Sequence, residues 1–120
     1  MVPMITIALP EPPSTNKLFG VSSTGRRYKT LEYRDWIDEC DVCVLGQRAT
    51  KKRISGPYTV LIELSAKSRK DCDNVTKATI DYIVRIAIVD DDKHCRKATA
   101  VKLDTIDKGQ CRVIIEPWAD

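Results

Sequence analysis

Tyr58-Thr59-Val60-Leu61-Ile62-Glu63-Leu64-Ser65-Ala66 leads, after Lys67 and Ser68, into Arg69-Lys70-Asp71-Cys72-Asp73-Asn74-Val75-Thr76-Lys77. In the first stretch apolar and other residues alternate with a period of two, which predicts a strand. Past Asn74 the period changes. Val75, Ala78, Thr79, Tyr82, Ile83 and Ile86 recur at three and four, which predicts a helix to about Arg85. Val89-Asp90-Asp91-Asp92-Lys93 reads as a charged turn. Two strands follow it, His94 to Asp104 and Gln110 to Trp118, separated by the turn Asp107-Lys108-Gly109.

Upstream, Ile5, Ile7 and Leu9 alternate with Thr6 and Ala8 over a strand from Met4 to Leu9. Thr30 is a reasonable N-cap for a helix from about Leu31 to Ala49, with Tyr33, Trp36, Ile37, Cys40, Val44 and Gln47 on one stripe. The prolines of Pro10-Glu11-Pro12-Pro13-Ser14-Thr15-Asn16 fit no helix or central strand, so residues 10–29 read as one long surface loop. The order strand, helix, strand, helix, strand, strand predicts a single α+β domain over residues 1–120. It should hold one mixed sheet of about four strands covered by two helices.

At 120 residues the chain can bury one core. It has no apolar run of membrane-spanning length, and Met1 to Leu9 lacks the basic region of a signal peptide, so a soluble cytoplasmic protein without a membrane partner is expected. Five cysteines, an odd number, do not suggest a secreted disulfide framework. Cys40 and Cys43 match C-x-x-C but fall on the helix stripe, where a free cysteine packs as a small hydrophobe. The net charge of +3 is mild; its distribution is more telling. Lys17, Arg26, Arg27 and Lys29 cluster early, Lys51-Lys52-Arg53 form a run, and Lys67, Arg69 and Lys70 lead into the acidic pair. Basic clusters flanking acids suggest a polyanionic substrate with a metal between them.

In an extended segment Asp71 and Asp73 would point the same way, roughly 7 Å apart, with Cys72 turned into the body. Two such carboxylates suit magnesium, which takes oxygen ligands and is often held by one or two carboxylates plus substrate phosphates. Lys77, four residues after Asp73, would share its helix face and meet a phosphate. Each residue also has a plainer reading: Asp73 as the cap of the helix, Lys77 as a solvated helix residue, Asp90 to Asp92 as a polar turn.

R-x-D-x-D-N-x-x-K, then a helix, an Asp-Asp turn and a strand, with Pro-Pro-Ser-x-Asn after the first strand, resembles the RusA family of Holliday junction resolvases, common in bacteriophages and prophages. The resemblance runs from Leu9-Pro10 to Trp118. It implies a homodimeric, magnesium-dependent endonuclease, with manganese as an alternative ion, that nicks opposed strands of four-way junction DNA in recombination and repair. The family's paired aspartates fall on Asp71 and Asp73 and its essential lysine on Lys77. Its third aspartate falls on Asp92, although three aspartates in a row leave Asp91 open as the ligand. Asn16, Lys17, Arg26, Arg27, Lys29, Arg69, Lys70 and Asn74 are the expected DNA contacts.

A helix from Asn74 to Arg85 carries the chain about 18 Å from Asp73, and the seven residues beyond it reach at most roughly 24 Å. Asp92 can therefore just return to the paired aspartates, or a partner subunit supplies it. A two-fold dimer would match the two equivalent scissile phosphates of a junction.

Overall fold

A computed structural model describes residues 4–119; residues 1–3 and 120 of the expected domain lie outside the described residues. Four strands form a mixed sheet: β1 (Ile5–Pro10), β4 (Tyr58–Ser65), β5 (Cys95–Leu103) and β6 (Gln110–Pro117), in the order β1-β6-β4-β5. Central β4 pairs antiparallel with β6 and parallel with β5. The expected mixed sheet with two helices is therefore present, α1 over Leu31–Val44 and α2 over Thr76–Arg85. Strands β5 and β6, consecutive in sequence, flank β4 on opposite sides, so residues 104–109 cross its end.

Alternation puts one face of each strand into the core. Ile5, Ile7 and Leu9 line up with Ile115, Val113 and Cys111, and these with Val60, Ile62 and Leu64, all buried, as is Tyr58 at the start of β4. The helices close this layer with Tyr33, Trp36, Ile37 and Cys40 from α1 and Ala78, Tyr82 and Ile83 from α2. Trp36 packs edge-on to Tyr82, ring centroids 5.6 Å apart, and its indole N–H donates to Pro10 O at 3.0 Å. Burial of the Cys40 thiol among these groups pushes its pKa up, so it stays a protonated hydrophobe.

Thr30 caps α1 as its sequence suggests, its hydroxyl accepting from Tyr33 N at 3.2 Å. The helix stops at Val44 rather than Ala49, and Arg48–Lys51 form a separate 3-10 turn. Gly46 weakens the helix there, and Gln47 is employed elsewhere. Its amide accepts from Ala8 N at 2.7 Å and donates to Ala8 O at 2.8 Å, satisfying the free edge of β1 as a paired strand would.

Residues 10–29 are more ordered than a single loop. They contain a 3-10 turn (Thr15–Lys17) and a hairpin of β2 (Phe19–Val21) and β3 (Arg27–Lys29). Leu18 is fully buried and anchors the segment. No described helix is long and apolar enough to cross a membrane.

Candidate acidic site and cationic groove

Beyond Ser65 the chain makes a tight loop over the end of the sheet. Lys67 N and Lys70 N donate to the hydroxyls of Ser65 and Ser68, and Lys102 Nζ donates to Ser68 O at 3.1 Å. Asp71 keeps extended backbone, but Cys72–Asn74 closes into a 3-10 turn, with Asn74 N donating to Asp71 O at 3.0 Å. This corrects the expected extended segment. In a 3-10 turn successive side chains step by about 120°, so residues two apart no longer share a face. The turn is held by Val75, which is fully buried, while Cys72 is only half-buried.

Asp71 and Asp73 are both exposed, and neither carboxylate has a hydrogen-bond or ion-pair partner among the described residues. Asp73 does not cap α2, whose N-cap position is Val75 and carries no side-chain cap. The first turn of this ten-residue helix therefore has no side-chain cap and follows directly on the segment that carries the two acids. Lys77 stands in the first turn, half-exposed, its Nζ 3.1 Å from Asp81 Oδ2 one turn on.

Around Asp71 lies a groove of about 640 Å³ rich in cations: Lys17, Lys67, Arg69, Lys70 and Lys108 line it, with Asn16 and Asn74. Five of the expected contact residues, Asn16, Lys17, Arg69, Lys70 and Asn74, thus converge on one acid. Thr15 Oγ1 donates to Asn74 O at 3.0 Å, tying the proline-rich segment to the acidic turn. Lys108 was not expected here. It arrives because the 104–109 connection crosses the end of β4, a topological fact with no local signal in the sequence.

The remaining cations lie elsewhere. Arg26 is in the hairpin turn, Arg27 stacks 3.6 Å over the Phe19 ring, and Lys29 lines a second cavity with Asp81, Arg85 and Asp92. Lys51, Lys52 and Arg53 precede Ile54, which bridges to Val89 near the acidic turn.

That acidic turn does not meet the first pair within one protomer. Tyr58 opens β4 and pairs with Cys95, and its hydroxyl donates to Asp91 O at 3.1 Å, whereas Ser65 closes β4 ahead of Asp71. Asp91 and Asp92 therefore sit at one end of the β4–α2 layer and Asp71 and Asp73 at the other, about 15 Å apart along ten helical residues. Asp92 is exposed; Asp91 accepts from Lys93 N at 3.0 Å. His94 Nδ1, hydrogen-bonded to Asp90 Oδ1 at 2.8 Å, holds that carboxyl below its ordinary pKa, and the Lys93 amide does the same for Asp91. Among the described residues no three His, Cys, Asp or Glu side chains gather closely enough to hold a metal ion.

No protein-family model matches the chain, and no curated protein is significantly similar to it.

Proposed function

We propose that this protein is a metal-dependent, structure-specific DNA endonuclease of the RusA type, cutting four-way junctions as a homodimer. The observation that carries the reading is the convergence of five cations on Asp71, beside Asp73 and the uncapped start of α2. A cationic groove follows a phosphate backbone with little sequence information. The uncommitted Asp71 carboxylate in its lining is unfavourable for phosphate binding alone, which favours a cation between it and the DNA.

Asp71 and Asp73 fit magnesium, or manganese, as a donor set: both are hard oxygen ligands, exposed and without a protein partner among the described residues. Bound there, the ion would supply charge stabilisation for phosphodiester hydrolysis. Lys77 would add a cation to the phosphoryl oxygens where negative charge develops. Lys17, Lys67, Arg69 and Lys108 would hold the flanking phosphates, and Asn16 and Asn74 would donate to the backbone. Asp92, or its neighbour Asp91, would complete the site from the partner subunit, since one protomer keeps the two acidic segments apart.

The test is cleavage of a synthetic four-way junction, a fork and a linear duplex at matched salt, with magnesium or EDTA, and with Asp73→Asn as control. Paired nicks in the junction that need both the ion and Asp73 support the reading. Equal cutting of junction and fork makes the protein a broader branched-DNA nuclease. Tight binding with no cutting makes it a non-catalytic nucleic-acid module.

A further inference from the structure

Glu11 is the residue of the groove that its charge least explains. It sits between Pro10 and Pro12-Pro13, and its backbone N–H donates to Gly109 O at 2.9 Å, so its position is set by rigid neighbours and by the 104–109 connection. From there its Oε2 reaches Lys70 Nζ at 2.7 Å across 59 residues of sequence. The side chains of this pair are 15% and 26% exposed, the most enclosed of the ion pairs between a lysine and an acid. Oε1 is sealed from solvent, and among the described residues the Ser68 hydroxyl is the group placed to serve it.

Such an arrangement is a poor device for either stability or affinity. A part-buried ion pair spends much of its Coulombic gain on desolvation, so stability alone gives little reason for it. For polyanion binding an acid is worse still, because it takes up a cation that would otherwise meet phosphate. What the pair does fix is geometry: Lys70 is the residue immediately before Asp71, and its amide is already held by Ser68 Oγ at 3.2 Å.

We propose that Glu11 is a positioning residue of the acidic site: by clamping Lys70 it sets the direction of the Asp71–Asp73 turn, and it withholds Lys70 from the DNA. The catalytic half of this inference rests on the endonuclease reading; the clamp itself does not. Glu11→Gln keeps the shape and removes the charge. The groove lining, formally +3 with Glu11 and Asp71 counted, becomes +4. Lys70 is released to bind a phosphate, and the turn loses one of its constraints.

Three measurements test this on the full chain. In EDTA, Glu11→Gln should bind a four-way junction more tightly, with a salt slope steeper by about one unit. With magnesium and saturating junction, single-turnover cutting should fall by about 10- to 100-fold, the scale of an ångström-sized misplacement. The double variant Glu11→Gln/Lys70→Gln should cut no worse than Glu11→Gln alone, because the two act as a unit. Lysine acetylation by acetic anhydride, read by peptide mass spectrometry, reports the clamp without DNA. Lys70 should be the slowest of the groove lysines in the wild type and should speed up in Glu11→Gln. Unchanged Lys70 labelling, or an unchanged salt slope and cutting rate, overturns the inference. A wild type that binds DNA without cutting, yet passes the labelling and salt tests, overturns the endonuclease reading and the positioning role while the clamp stands.

Discussion

Asp73 precedes the first turn of α2 and Asp92 follows its last, so the two acids lie toward opposite ends of that helix. If the partner supplies Asp92, two inactive chains can repair each other. Mixing Asp73→Asn with Asp92→Asn subunits gives heterodimers in which one composite site keeps both acids and the other keeps neither. Equal mixing should restore about a quarter of wild-type nicking, as single nicks rather than paired resolution. Gel analysis of a labelled junction distinguishes the two products. No recovery after confirmed subunit exchange would place both acids of a working site in the same chain.

Lys77 and Asp81 form an exposed i,i+4 pair on α2. Pairs of this kind contribute about 0.3–0.5 kcal/mol, so Lys77→Met should leave urea unfolding nearly unchanged. Its effect on cutting should be far larger, roughly 100-fold or more in single-turnover rate, the scale of losing one group that meets developing charge. Asp81→Asn frees the same lysine and should preserve cutting. If Lys77→Met cuts normally, the ion pair is the lysine's whole role.

The division between what was legible in the sequence and what was not follows the range of the interactions involved. The alternation in residues 58–66 and the three-four spacing after Val75 are local, and the elements stand where those patterns put them. The helical stripe predicts α1 to Ala49, but Gln47 leaves the helix to bond Ala8, a contact 39 residues away. D-x-D alone predicts an extended segment at Asp71–Asp73, because it cannot reveal that Val75 must reach the core. Lys108 joins the groove only through the order of strands in the sheet. Neither Lys108 nor the Glu11–Lys70 clamp has a sequence signal, since both depend on that topology.

Cations should weigh differently according to the end of the molecule they occupy. Lys67 and Lys108 line the groove around Asp71, whereas Lys51 and Lys52 lie toward the opposite end. Removing Lys67 or Lys108 should lower the slope of log K against log salt by about 0.9 each on duplex arms. Lys51→Gln should change it less. Fluorescence anisotropy with a junction in EDTA, over several salt concentrations, reads both. Equal slopes for all three variants would mean that the DNA does not follow the groove.

Asp41 should contribute to acid sensitivity, because it joins the two helices by accepting from Tyr82 Oη at 2.8 Å and Arg85 Nη2 at 2.9 Å. Burial alone would raise its pKa, but the Tyr82 and Arg85 hydrogen bonds outweigh it, and the net shift is downward. A carboxyl with a folded pKa below its unfolded value of about 3.9 stabilises the fold above that value, and the contribution is lost as pH falls through the folded pKa. Asp41→Asn should therefore cost about 1 kcal/mol at pH 7, discounted for exposure, and less at pH 2. Urea midpoints at the two pH values give the comparison; an equal loss at both would assign the effect to packing.

Ala87 ends α2 with φ of 62°, the only described non-glycine residue in the left-handed region. The helix closes there by two bonds, Ala87 N to Val84 O and Ile88 N to Ile83 O, both 3.0 Å. Buried Ile88 packs beside Ile83 in the same core, completing a Schellman cap. The cap needs a left-handed residue, and a Cβ there costs about 1–2 kcal/mol. Ala87→Gly removes that strain but gives the unfolded chain more freedom, worth about 0.4–1 kcal/mol in the other direction. The net expectation is stabilisation by about 0.5–1 kcal/mol, a rise in Tm of a few degrees for a domain of this size. Ala87→Val should move Tm the other way, because a β-branched side chain tolerates this φ least. Thermal scans of the two variants should therefore bracket the wild type, and the turn that carries Asp91 and Asp92 depends on this cap for its exit from the helix.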